Sequence, residues 1–232
     1  MRYSANLNVI IKAIEKAASK VSRDFIELEN LQSNVFSANK FASACYNRVK
    51  EILIEDLSKI RPDYSIFFAD GQKIINQNKE YSYVIFPIDG IDNLLRSNPD
   101  FTIAVALQYH GENNHKETIA LAINKMVGGE LYYCEKGFGA YLNSRRIRVS
   151  KRGNNDFPLI ATNDSNLAKK FAMRAYGSKT MEIAYLASSK LDLVILDCDD
   201  LANSFSLLVK EAGGKIIVQD KQILFSNGLI NY

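Results

Sequence analysis

The residues best suited to chemistry in this 232-residue chain lie at 84–93, Val-Ile-Phe-Pro-Ile-Asp-Gly-Ile-Asp-Asn. Asp89 and Asp92 stand either side of a Gly-Ile pair, directly after an apolar run that Pro87 stops. Carboxylates are what hard cations prefer, and Mg²⁺ takes an octahedron of oxygens. Gly90-Ile91-Asp92-Asn93 also opens a helix, so its amides form a candidate anion site, which Asp89 and Asp92 oppose. Two readings of Asp89 stay open. It is a metal-binding carboxylate, or an acid at a helix start where it favours the dipole. Asp92 points from a different turn of the chain.

Such groups need elements to position them. Leu7, Ile10, Ile11, Ile14, Ala17, Ala18 and Val21 recur at three- and four-residue spacing, which predicts an amphipathic helix. A second helix fits Ala42 to Ile60, ended by Arg61-Pro62-Asp63, because the residue before proline avoids helical dihedrals. Strands are expected at 64–68 and 81–85, with a polar loop at 71–80 between them. Runs at 101–109, 118–124 and 129–134, separated by turn residues, read as an antiparallel meander. Gly137 and Gly139 mark a tight turn before a strand at 140–142, and 147–149 is a short strand. The second half alternates: strand 159–162, helices 165–174 and 181–188, strand 191–196, helix 202–212 stopped by Gly213-Gly214, strand 215–218. Residues 1–150 thus form an α+β half and 151–232 an α/β half, packed tightly as one unit.

Composition excludes several classes. The chain is 47% hydrophobic and 24% charged, an ordinary globular balance that needs no covalent staples. A net charge of +3 is too mild to imply direct nucleic-acid binding, and Arg145-Arg146-Ile147-Arg148 with Lys151 and Arg152 reads as a solvated hairpin edge. Cys45, Cys134 and Cys198 are too scattered for a disulfide framework or a zinc site, which fits packing roles in a reducing cytoplasm. His110 and His115 flank a polar loop rather than forming a metal pair. No apolar signal core, lipidation motif or 18-residue apolar run is present, so no membrane role is expected.

Two further motifs join the first. One is Gly137-Phe138-Gly139-Ala140-Tyr141-Leu142-Asn143, continuing to Ile147-Arg148-Val149-Ser150, and the other is Glu211-Ala212-Gly213-Gly214. Each alone is only a turn or a helix end. In this order and spacing the three resemble the inositol monophosphatase family, especially its bacterial extragenic-suppressor branch, from about Leu7 to Asn227. The resemblance implies an α/β fold, the layered α+β sandwich (αβαβα) of inositol and sugar phosphatases. It implies a homodimer and Mg²⁺-dependent hydrolysis of phosphate monoesters. The chain stops at Tyr232, without the family's last helix.

The family's site residues carry over unevenly. Its paired glutamates fall on Ala69, which cannot ligate, and Asp70, one carbon shorter. The first acid of the central motif is Phe86, the second remains as Asp89, and the carbonyl of Ile88 can still serve as a ligand. The threonine that positions the attacking water is Ile91. The C-terminal aspartate falls on Leu201, and a loop shifted by one residue would bring Asp200 there. The acid that supports the water falls near Lys40, with Ser37 at its threonine. Lys40 is read either as an ammonium in the space a cation would vacate or as a solvated residue at a loop end. Gly90 and Ile91 are the phosphate-binding positions. Ser178 and Lys179 face substrate, with Leu196 near an inositol-binding glutamate. The first reading is therefore a pseudophosphatase acting by binding, with Mg²⁺ weak or absent. Its protein partner would lie in transcription, because the extragenic-suppressor branch is associated with RNA polymerase. The alternatives are an active phosphatase of inositol phosphate or a related sugar phosphate, rebuilt on Asp89, Asp200, Asp70 and Asp92, and a small-phosphate sensor at Gly90.

Overall fold

A computed structural model describes residues 4–30, 34–112, 115–199, 203–219 and 221–231. Asp200 and Leu201 lie outside the described residues. The first apolar stripe forms helix α1 (Ala5–Glu29), whose Ser4 side chain caps the amide of Leu7. Its seven periodic residues are all buried. Helix α2 (Val35–Ile60) starts seven residues before the expected Ala42, because Asn34 caps the amide of Ser37. Val35 and Phe36 in that first turn are exposed, which breaks the apolar period and hides the true start. The helix stops at Arg61, as the following proline requires.

Eight strands form the first sheet: β1 (Ser65–Phe68), β2 (Lys73–Ile74), β3 (Tyr81–Asp89), β4 (Thr102–His110), β5 (Lys116–Lys125), β6 (Glu130–Glu135), β7 (Gly139–Leu142) and β8 (Arg145–Ile147). Their order is β2-β1-β3-β4-β5-β6-β7-β8, a meander from β3 onward with β1 parallel to β3. Alternate residues serve opposite faces. Tyr83, Ile85, Ile103, Val105 and Leu107 pack under α1 and α2. Val84, Phe86, Ala104, Ala106, Leu121 and Ile123 join the core on the other side. That core is filled by α4 (Lys179–Ala187) and α5 (Ser206–Glu211). The short α3 (Ile91–Leu95) follows β3.

The second sheet has strands β9 (Leu159–Ala161), β10 (Ala172–Arg174), β11 (Leu193–Asp197), β12 (Lys215–Gln219) and β13 (Gln222–Ser226), in the order β10-β9-β11-β13-β12. The layers therefore run helix pair, sheet, helix pair, sheet, with a small outer cluster around Ile195 and Leu224. Residues 165–174 are not the expected helix. Asp164 caps a 3₁₀ turn at Ser165–Lys169, and β10 then pairs parallel to β9. Phe171 and Met173 turn inward while Ala172 and Arg174 are exposed, a two-residue period that a helix reading overlooks.

The Glu-Ala-Gly-Gly and Gly-Phe-Gly motifs meet in space. The Glu211 carboxylate accepts from the amides of Gly137 (2.7 Å) and Gly139 (2.7 Å). Gly214 has no room for a side chain: an added Cβ would lie 2.6 Å from Val209 Cγ1 and 2.8 Å from the Ser226 carbonyl.

Candidate functional site

Strand β3 carries the central motif to the edge of the helix layer. Its pairing with β4 is irregular between Phe86 and Asp89, where Pro87 lacks an amide to donate. Gly90 then turns the chain at φ +89°, and a Cβ there would sit 3.0 Å from the Asp100 carbonyl. Asn93 fixes the turn by donating Nδ2–H to the carbonyls of Asp100 (2.6 Å) and Tyr176 (2.6 Å).

Asp89 is held by the start of α4. Its Oδ2 accepts from the Thr180 amide (2.6 Å), the Thr180 hydroxyl (2.8 Å) and the Ser178 hydroxyl (2.9 Å). Burial raises its pKa above the usual carboxylate range, and those hydrogen bonds oppose the rise without cancelling it. Thr102 on β4 completes the hydroxyl group, 2.6 Å from Thr180 Oγ1. Asp89 lines a cleft of about 220 Å³ with Ser178, Lys179, Glu182, Leu196 and Asp197. Glu182 accepts from the Tyr176 amide (3.0 Å), and burial, added to the nearby Asp89 charge, pushes its pKa up to about 7. Lys179 Nζ reaches Asp199 Oδ2 at 3.1 Å.

None of the other positions lines this cleft. Phe86 is buried and meets Phe205 edge-on, ring centroids 5.4 Å apart. The Ile88 side chain is in the core under the helix pair, and Ile91 is exposed. Ala69 is exposed, its amide bonded to the Ile85 carbonyl. Asp70 Oδ2 is 2.6 Å from Lys50 Nζ and 3.1 Å from the Tyr46 hydroxyl, while its Oδ1 takes the Gln72 amide at 2.9 Å. Burial works to raise the Asp70 pKa, but the Lys50 ammonium, the Gln72 amide and the Tyr46 hydroxyl together hold it below the usual range. Lys40 is exposed on α2. Lys50, ten residues further along the helix or about 15 Å, is the lysine that meets an acid of this set.

Sequence reasoning missed Lys50, Thr102, Thr180, Glu182 and Phe205. The signal for Lys50 was its spacing with Tyr46, Leu53 and Leu57, which puts a lysine on the inner face of α2. Thr180 and Glu182 stood beside the Ser178-Lys179 pair, and nothing local reveals that they turn toward Asp89.

The model of the inositol monophosphatase family matches residues 3–230. An inositol-1-monophosphatase of Rhizobium meliloti is 31% identical, over 92% of this chain and 85% of the relative. A Nus factor SuhB of Xylella fastidiosa is 28% identical, over 90% of this chain and 80% of the relative. Among solved structures, the extragenic suppressor protein suhB of Bartonella henselae aligns with a TM-score of 0.85 and 26% identity, covering 97% of this chain and 95% of that one. Inositol monophosphatase II of Staphylococcus aureus, 18% identical over 97% of this chain and 92% of that one, shares the fold with a TM-score of 0.78.

Proposed function

As the chain belongs to the inositol monophosphatase family, we propose that it is a member that no longer hydrolyses phosphate monoesters and works by binding. One observation carries this reading: two of the acids that the resemblance assigns to the site, Asp70 and Asp89, are engaged by the protein itself. Lys50 holds Asp70, and Ser178 and Thr180 hold Asp89. An aromatic ring packed on Phe205 stands where the resemblance places an acid. A hard cation needs about six oxygen ligands. Among the described residues no three His, Cys, Asp or Glu side chains converge. That spread of donors supports a weak or empty Mg²⁺ site.

The relatives named Nus factor SuhB support a protein partner in transcription. Likeness to the family supports a homodimer, which light scattering at micromolar concentration checks; a monomer there would count against it. Calorimetric titration with Mg²⁺, with and without phosphate, tests the main reading. We expect no saturable heat at millimolar Mg²⁺, and release of phosphate from inositol 1-phosphate or an aryl phosphate no faster than background.

One observation favours a rebuilt hydrolase instead. Glu182 shares the cleft with Asp89 and has a pKa of about 7, suited to proton transfer. Metal-dependent turnover that both Asp89→Asn and Glu182→Gln abolish would establish that alternative.

A further inference from the structure

The turn between β1 and β2 is built around one ammonium group. The Phe68 amide donates to the Gln72 carbonyl at 2.9 Å and closes the turn. Alternate residues of that turn, Phe68, Asp70 and Gln72, converge on Lys50 of α2. Its Nζ lies 2.6 Å from Asp70 Oδ2, 2.7 Å from Gln72 Oε1 and 4.2 Å from the centre of the Phe68 ring. Two oxygens thus accept its N–H groups, and the charge also lies over an aromatic face, where it is attracted. Lys50 is 8% exposed, and among the described residues of α2 it is the one charged side chain that is buried. An ammonium taken out of water is strongly destabilising unless partners of this kind are in place.

Asp70 is matched as closely. Its Oδ2 also accepts from the Tyr46 hydroxyl at 3.1 Å, one turn earlier on α2, and its Oδ1 accepts from the Gln72 amide at 2.9 Å. Coordination number decides which cation this corner suits. Asp70, Gln72 and Tyr46 offer two carboxylate oxygens, one amide oxygen and one phenol oxygen. Ala69, beside Asp70, adds no side-chain oxygen. Mg²⁺ asks for about six oxygens, whereas an ammonium has only three N–H groups to place. An ammonium carried on α2 also cannot diffuse away, so a free cation competes with an intramolecular partner.

We propose that Lys50 is a tethered cation. It supplies from within the chain the positive charge that Asp70 would otherwise draw from solution, and it closes this corner of the site to hard metal ions. Lys50 is thereby one means by which the site works without Mg²⁺, and to that extent the proposal rests on the metal-poor site of the proposed function. With the ammonium removed, Asp70, Gln72 and Tyr46 become a weak site for a hard cation that water completes.

The test titrates the whole protein with Tb³⁺, an oxygen-seeking ion whose emission a neighbouring tyrosine excites, as Tyr46 would here. Lys50→Met keeps an unbranched apolar stem and drops the charge. We expect it to gain a saturable component of tyrosine-excited emission that wild type lacks. Asp70→Asn in the same background should remove that component. Lys50→Arg, which keeps the charge, should bind Tb³⁺ at this corner at least about ten-fold more weakly than Lys50→Met, a difference of about 1.4 kcal/mol. Asp70→Asn in the otherwise wild-type chain should leave the titration unchanged, because Lys50 already holds that acid. Absence of a new component in Lys50→Met, its persistence in Lys50→Met/Asp70→Asn, or a wild-type component that Asp70→Asn removes would each overturn the proposal. The last comparison needs no change at Lys50, so it decides the matter even where a Lys50 variant does not fold. Mg²⁺ heat in wild type that survives Asp70→Asn would instead count against the proposed function and leave the role of Lys50 standing.

Discussion

Phe86 and Glu182 mark opposite ways in which single residues set this site's chemistry. Phe86 is packed among apolar side chains and against Phe205. Putting an aspartate there would bury a charge with no described partner, at a cost of about 3–5 kcal/mol. Phe86→Asp alone should therefore lower the urea midpoint strongly, and a variant that also opens Phe205 should accommodate an acid there at less cost. A Phe86→Asp protein as stable as wild type would contradict this packing account. Glu182 makes its mark through pH. Its folded pKa of about 7 lies above the ordinary glutamate value of 4.5, so the folded state holds a proton that the unfolded state has released between those values. Stability is fully present below pH 4.5 and is lost as pH rises through 7. The shift corresponds to about 3 kcal/mol at most, with Asp89 titrating in concert. Glu182→Gln should flatten the fall in unfolding free energy between pH 5 and pH 8. An unchanged slope would place the proton elsewhere. Phe86 could be read from sequence as a departure, since a benzyl group in an acidic motif is visible without coordinates. The Asp89–Glu182 coupling could not, because 93 positions separate the two residues and only α4 brings them together.

At the scale of elements, the carboxylate of α5 that reaches back to the Gly137–Gly139 turn ties the helix layer to the first sheet. In the sequence each motif alone reads as a turn or a helix end, and only their order and spacing carry the family resemblance. Their joint presence has a physical cause, since one side chain satisfies two amides of the other motif. Glu211→Ala should cost about 2–3 kcal/mol, because charge-assisted hydrogen bonds to backbone are among the stronger kind. Hydrogen exchange should show the loss first at the amides of residues 137 and 139; unchanged protection there would refute the link. The elements most legible in sequence were those with one clean period, such as α1. Those misread had a competing local signal. The start of α2 hid behind the exposed Val35 and Phe36, and β10 hid behind a capped 3₁₀ turn. Strand β13 was passed over because it follows β12 after a short connection, yet it sits between β11 and β12.

For the molecule as a whole, the layered sandwich was legible through the family resemblance, and alternation along β3 and β4 assigns each apolar side chain to one of two cores. Which helix covers which core did not follow, because that depends on contacts between residues far apart in the chain. Described among the same residues, no helix is long and apolar enough to cross a membrane. The bond from the Thr180 amide to Asp89 joins positions 91 apart, one at the end of the first sheet and one on the helix layer between the sheets. Bringing such ends together carries a loop-closure entropy that shorter contacts avoid. We therefore expect it to form late, after each sheet has its own contacts, and to open early when the layers part. On a clock rather than a balance, Asp89 is a latch. Asp89→Ala should leave the refolding rate nearly as it was and speed unfolding by about ten-fold, as expected for an interaction absent from the transition state. Stopped-flow refolding that slowed in step with the lost stability would instead put this contact in the nucleus. On this account the Asp89 carboxylate governs how long the two layers stay closed.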